Sequence, residues 1–231
     1  MNEPISRYLD AAVLYPELER DKAREAIADV VSRLCRTVCI RPCDLDMARI
    51  LCRGSATDIC VVLGFPHGCG LSRVKAQEAE AYIEEGADEL DMVVNYGLVR
   101  SGEWQLVKDD IGAVARVTKS ADVVLKVILE TSELNLEQIH LATECAIEAG
   151  AHYVKTSTGF ASSGASVEAV QAMLEAADGR IKVKASGGIR DYAQARAYID
   201  MGVTRLGVGY LALPAICDGA PMAEDAGDID Y

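Results

Sequence analysis

Residues 151–159 read AHYVKTSTG, and the fold turns on how this stretch is read. Just upstream, ATECAIEAG ends as a helix does, at Gly150, and Tyr153, Val154 and Thr156 then form a short strand-like run. A helix, a glycine stop and a buried strand make one α/β unit. The same join recurs as EEGADEL at 84–90 and DMGVTRL at 200–206. Strands of a parallel sheet are covered on both faces, so Lys155 in the middle of this one has no cheap route to water. A buried ammonium is relieved by a lowered pKa or by a paired carboxylate. An amine that is neutral part of the time attacks carbonyl carbon. A lysine at the strand's end that snorkels to solvent is the alternative reading.

Working outward, strands are expected at YLDAAVL (8–14), TVCIRP (37–42), DICVVLGF (58–65), ELDMVVN (89–95), VVLKVILE (123–130), the opening stretch, IKVKASG (181–187) and TRLGVG (204–209). Helices are expected between them. Pro16 starts the first, with Ile27, Val30, Val31 and Leu34 at helical spacing. Asp44, Ser72, Asn135, Ser166 and Asp191 are expected N-caps, and Leu106, Ile111, Val114 and Val117 mark an apolar helix face. Eight strands, each followed by a helix except at the end, fit a closed single-domain (β/α)8 TIM barrel. A doubly wound open sheet is the competing architecture, but no G-x-G-x-x-G follows the first strand. The barrel domain is expected over 1–214. A flexible, acidic C-terminal tail is expected over 215–231, where the sequence is small and poor in apolar residues.

The 231 residues, half of them apolar, suit one large α/β domain. A net charge of −13 disfavours nucleic acid and anionic membrane as partners, while leaving room for a local anion pocket. No apolar run is long enough to span a bilayer, and the first residues lack a signal-peptide pattern. Eight cysteines without a CxxC pair, and scattered histidines, point to free thiols in a reducing cytoplasm rather than to zinc. The oligomeric state is not written in the sequence; a homodimer is the commonest outcome for soluble oligomers.

Alternate side chains of a strand share a face. That groups Asp91 with Val93 and Asn95, Lys126 with Ile128 and Glu130, Lys155 with Tyr153 and Ser157, and Lys184 with Lys182 and Ser186. An aspartate and several lysines therefore point into one interior, where unbalanced charges would be costly. Lys155 and Lys184 are one β/α unit apart and so lie on adjacent strands. A second ammonium nearby lowers the pKa of the first.

LDMVVN, LKVILE, VKTSTGF and VKASGGIR, with VCIRP and GFPHG upstream, resemble the deoxyribose-phosphate aldolases. The resemblance runs in order from about Thr37 to Leu206. It implies a Schiff-base, class I aldolase on a (β/α)8 barrel, needing neither metal nor other cofactor. Its substrate would be a small aldehyde or sugar phosphate, 2-deoxy-D-ribose 5-phosphate in the family proper. Carried over by position, Lys155 is the Schiff-base lysine and Lys184 the lysine that depresses its pKa. Asp91 is the acid/base carboxylate acting through water, Lys126 its neighbour, and Cys39 a residue near the substrate. Gly159, Gly187, Gly188 and Gly209 correspond to the phosphate-binding turns, and Asp10 opens the family's first motif. Some members end in a tyrosine that reaches the site, which makes Tyr231 a further candidate.

Two motifs depart from the family. The last strand ends in RLGVGY rather than a glycine–serine turn, and Ala12 replaces a threonine in DAAVL at 10–14. Both changes touch substrate recognition. An aldolase of the same lineage acting on a different, non-phosphorylated aldehyde is therefore the second reading, and a non-catalytic sugar-phosphate-binding barrel the third.

Overall fold

The computed structural model describes residues 3–219. Eight parallel strands alternate with helices: β1 (Leu9–Val13), α1 (Arg20–Ser32), β2 (Thr37–Ile40), α2 (Leu45–Leu51), β3 (Asp58–Leu63), α3 (Ser72–Glu84), β4 (Glu89–Val93), α4 (Tyr96–Arg100), α5 (Trp104–Ser120), β5 (Val124–Ile128), α6 (Leu136–Ala149), β6 (Tyr153–Lys155), α7 (Val167–Ala177), β7 (Lys182–Ser186), α8 (Tyr192–Met201), β8 (Arg205–Gly209) and α9 (Leu213–Cys217). The strands pair in chain order, and β1 closes on β8, with Asp10 opposite Gly207 and Ala12 opposite Gly209. This is the TIM barrel that the recurring helix–glycine–strand join predicts.

The main apolar core lies between the barrel wall and the helices. Outward-facing strand residues such as Leu90, Met92, Val127 and Val154 meet Ile111, Val114, Ile139, Val170 and Met173 of the helices, all buried. Inward-facing positions are largely polar and charged, which makes the interior a site as well as a filling.

Helix starts follow local chemistry. Asn135 caps α6 with a full capping box, its side chain accepting from the Gln138 N–H at 2.9 Å while Gln138 Oε1 accepts from the Asn135 N–H at 3.0 Å. Ser166 and Asp191 cap α7 and α8 through the N–H groups of Ala169 and Gln194. Elsewhere the expectation needs correcting. α1 begins at Arg20, not Pro16, because Arg41 Nη1 donates to the carbonyls of Tyr15, Pro16 and Leu18 (2.8, 3.3 and 3.0 Å) and holds them in a turn. Leu34 lies past the helix with φ of 54°. Asp44 makes no cap bond, since its carboxylate accepts from Arg41 Nε at 2.7 Å. Ser72 is the first helical residue of α3, and its hydroxyl donates to Asp110 at 2.8 Å. On α5, Leu106 is exposed and Val107 takes the buried position.

The chain stays packed beyond residue 214. Ala215 and Ile216 are buried in α9, and Asp218 pairs with Arg33. The remainder of the segment read as a tail lies outside the described residues.

Candidate active site

Inward-facing residues of β2, β3, β5, β6 and β7 converge on Asp91 of β4. Its Oδ2 accepts from Lys155 Nζ at 2.9 Å and from Lys184 Nζ at 2.8 Å. Its Oδ1 accepts from Lys126 Nζ at 2.7 Å and from the Cys60 thiol at 3.2 Å. Strand register builds this cluster: Lys155 is the direct partner of Lys184 across β6–β7, and Asp91 that of Lys126 across β4–β5. These four residues are at most 1% exposed. Lys155 does not reach solvent by snorkelling.

The structure inserts the Asp91 carboxylate between Lys155 and Lys184. Burial alone would raise the Asp91 carboxyl, but Lys126, Lys155 and Lys184 hold it well below the usual carboxylate range. Burial pushes the Lys184 ammonium down, yet Asp10 and Asp91 overcome it and hold it above its ordinary value. Lys126 behaves likewise, with Asp91, Cys60 and Glu89 outweighing its desolvation. Lys126 and Lys184 are therefore fixed cations.

Beneath this layer lies a second one that the sequence reading passed over. Glu89 accepts from Lys126 at 2.6 Å and from both terminal nitrogens of Arg205 at 3.0 and 3.2 Å. Asp10 accepts from Lys184 at 2.6 Å on one oxygen and from Arg205 at 2.7 Å on the other. Both oxygens of Asp10 are thus committed inside the barrel. Three cations outweigh the desolvation of Asp10 and keep its carboxyl far below the usual range. Strand parity carried the signal: Glu89 is two residues before Asp91, and Arg205 shares a face with Gly207 and Gly209.

Gly207 is the other unforeseen residue. A Cβ there would lie 2.3 Å from Ser186 Oγ, 2.8 Å from Ser186 Cβ and 3.2 Å from Lys184 Cε. The space that lets Lys184 reach Asp91 exists because β8 has no side chain at that point.

Cys39 Sγ lies 4.0 Å from Asp91 Oδ2, on β2 opposite Cys60 of β3. The thiols and Asp91 have their ligand atoms within 4.8 Å of one another, a spacing that could seat a metal ion. Asp91 already accepts from three ammonium groups, and Lys126 Nζ lies 3.2 Å from Cys60 Sγ, so the surroundings repel a dication.

The expected phosphate-binding glycines gather at the mouth. Gly159, Gly187 and Gly188 adopt φ of 85°, 88° and 74°, while Gly209 keeps an extended φ of −65°. Gly187 also touches Gly164 backbone to backbone, which docks the loop after β6 on the loop after β7. The hydroxyls of Ser157 and Ser186, both buried at the ends of these strands, have no hydrogen-bond partner among the described residues. Tyr210 turns edge-on to Tyr15, with ring centroids 6.1 Å apart. A largely apolar cavity of about 340 Å³ lies beside the mouth, between Leu14, Val62, Phe65, Tyr82 and Phe160. Phe65 and Phe160 meet edge to face at 5.3 Å. Tyr231 lies outside the described residues.

The model of the DeoC/LacD aldolase family matches residues 8–218. The chain belongs to the DeoC/LacD family of aldolases. It is 40% identical over 204 residues to a deoxyribose-phosphate aldolase of Caldanaerobacter subterraneus, covering 88% of each chain. It is 41% identical to that of Lactococcus lactis, covering 88% of this chain and 92% of the other. Among solved structures, the aldolase QR15 superposes with a TM-score of 0.87 at 37% identity, covering 93% and 95% of the two chains. The deoxyribose-phosphate aldolase of Aeropyrum pernix, described as a tetramer, gives 0.84 at 28% identity, covering 92% and 89%. The family makes this protein an enzyme, a carbon–carbon lyase. Among the described residues no helix is long and apolar enough to cross a membrane.

Proposed function

We propose that the protein is a Schiff-base aldolase that reversibly cleaves 2-deoxy-D-ribose 5-phosphate to D-glyceraldehyde 3-phosphate and acetaldehyde. The observation that carries this reading is the Asp91 carboxylate held between Lys155 and Lys184 on adjacent strands. Lys155 attacks the C1 aldehyde and the carbinolamine loses water, giving an iminium. The iminium is the electron sink, so no metal or other cofactor is needed. Asp91, through a water, takes the proton of the C3 hydroxyl. The C2–C3 bond then breaks and its electron pair becomes the enamine of acetaldehyde. Protonation at C2 and hydrolysis release acetaldehyde and restore Lys155. Lys126 and Lys184, both held as cations, keep Asp91 ionised beside Lys155. The unpartnered hydroxyls of Ser157 and Ser186 are placed to bond substrate oxygens, and the Gly187–Gly188 turn offers N–H groups to a phosphate. Similarity to curated deoxyribose-phosphate aldolases favours this substrate. The setting is a cytoplasmic one, in the degradation of deoxyribose phosphates, and the tetrameric relative favours self-association, which light scattering tests.

A second reading, a non-phosphorylated substrate, is favoured by Tyr210 at the end of β8 and by the apolar cavity beside the mouth. One pair of experiments separates the possibilities. Borohydride with acetaldehyde should leave a reduced two-carbon adduct on Lys155, and Lys155→Ala should lose both adduct and turnover; an adduct on Lys184 reverses the assignment. Retro-aldol rates on deoxyribose 5-phosphate and on deoxyribose then fix the substrate, equal kcat/KM for the two favouring the second reading.

A further inference from the structure

The two cysteines beside Asp91 form a pair that the aldolase reaction does not require. Cys39 and Cys60 are direct register partners on adjacent parallel strands, and both face the barrel interior. Neighbouring strands lie about 4.8 Å apart, inside the Cα separation of about 4.4–6.8 Å that a disulfide accepts. Inward-pointing side chains of a closed barrel also converge, which brings the two Cβ atoms nearer still. The two sulfur atoms lie within 4.8 Å of one another, each beside an oxygen of Asp91.

Their roles differ. Neighbouring Cys60, and after it the Lys155 and Lys184 ammonium groups, draw the Cys39 thiol below its ordinary value against burial and the nearby Asp91 carboxylate. Burial, with the Asp91 carboxylate beside it, raises the Cys60 thiol well above its ordinary value. Access follows from the chemistry already described. Cys39 Sγ is 4.0 Å from the same Asp91 oxygen that Lys155 contacts at 2.9 Å, so a small solute that reaches one reaches the other.

We propose that Cys39 and Cys60 form an active-site disulfide on exposure to hydrogen peroxide or a comparable small peroxide, and that the bond reversibly stops turnover. The Cys39 thiolate attacks one peroxide oxygen, the O–O bond breaks, and the departing hydroxide takes a proton to become water. Cys39 is then a sulfenic acid. The Cys60 sulfur attacks the Cys39 sulfur and expels hydroxide, which takes the Cys60 thiol proton and becomes the second water. Two thiols are oxidised and one peroxide is reduced. Once bonded, Cys60 no longer donates to Asp91, and the sulfur of Cys39 is pulled from the substrate space toward β3.

The test uses the full chain carrying Cys43→Ser and Cys69→Ser, both at exposed positions. That background makes tryptic peptides 37–49 and 54–73 carry Cys39 and Cys60 as their sole thiols. After brief peroxide treatment the two peptides should appear joined, lighter than their sum by about 2 Da. Turnover should fall in proportion to the joined fraction and return with dithiothreitol. With Cys60→Ala added, the resolving thiol is gone. Cys39 should then gain about 32 Da as the sulfinic acid, and the loss of turnover, relative to that variant's own untreated rate, should resist dithiothreitol. Sulfinic acid on Cys39 with Cys60 present and no joined peptide would overturn the proposal. So would joined peptides with undiminished turnover.

Discussion

The glycine that makes room for Lys184 gives the sharpest test of how the barrel interior is built. In Gly207→Ala the new Cβ is placed 2.3 Å from Ser186 Oγ and 2.8 Å from Ser186 Cβ, distances that side-chain carbons do not tolerate. Turning the Ser186 hydroxyl relieves the first contact but not the second, so the β7 and β8 backbones must separate. Overpacking of this kind costs about 1–3 kcal/mol. The same methyl sits 3.2 Å from Lys184 Cε, whose Nζ is 2.6 Å from Asp10 and 2.8 Å from Asp91. A displacement of Lys184 therefore disturbs Asp91, and misplacement by about 1 Å near the chemistry can cost on the order of 100-fold in rate. Urea denaturation should show a lower midpoint with an unchanged slope, and kcat should fall while borohydride still traps acetaldehyde on Lys155. Adding Ser186→Ala removes the nearest atom and should restore part of the stability, a coupling of about 0.5–3 kcal/mol. A Gly207→Ala protein within about 0.5 kcal/mol of the parent and of equal kcat would refute the packing argument.

Lys184→Leu removes one cation from both Asp10 and Asp91. The acidic limb of the pH–rate profile should move up and neutral-pH turnover should drop by on the order of 100-fold; an unmoved profile would refute the charge role. Stability should track the depressed carboxyls of Asp10 and Asp91, whose folded values lie below their unfolded ones. Their contribution is complete above about pH 4 and is lost as pH falls through the folded values, so the urea midpoint should decline below about pH 4, and its slope should be shallower in Asp10→Asn. Outside the site, Lys75 and Asp110 form a buried pair at 2.6 Å that ties α3 to α5 and to the Val93 carbonyl. Lys75→Met alone should destabilise by about 3–5 kcal/mol, and joining it with Asp110→Leu should return most of that, as calorimetry can check.

The barrel was legible because its signals are local and repeated. A glycine after each of several helices and an apolar strand after the glycine specify the unit, and eight such units close. The helix starts that the sequence misplaced failed because side chains from outside the helix compete for the groups expected to begin it. Arg41 captures the carbonyls of Tyr15, Pro16 and Leu18, and nothing in the local sequence around Pro16 reveals a guanidinium arriving from the next strand; at Asp44 the competitor is the same Arg41, three residues upstream. In the site, Lys155, Lys184, Asp91 and Lys126 could be grouped by alternation, since each lies in a strand long enough to show its parity. Glu89 and Arg205 obey the same parity but sit at strand starts, where a charged residue ordinarily reads as solvent-facing. Gly207 could not be read at all, because its requirement is set by Ser186 and Lys184 on the neighbouring strand. For Asp10 the sequence supplied a position without a partner, and the structure commits both its oxygens within the barrel.

The ion-pair chain has a further consequence for the amine at its end. Asp10, Glu89 and Asp91 face Lys126, Lys155, Lys184 and Arg205, three carboxylates against four cationic side chains. Arg205 is held by Asp10 and Glu89, Lys126 by Glu89 and Asp91, and Lys184 by Asp10 and Asp91. Lys155 alone within this chain has a single carboxylate partner, and that partner is shared with two other ammonium groups. Lys155 is thus the cationic side chain of this network with the fewest carboxylate contacts. A barrel interior filled with aliphatic side chains would be simpler to stabilise. This one keeps an ionic network whose least compensated member, Lys155, is the side chain to which the proposed mechanism assigns the attack on the aldehyde.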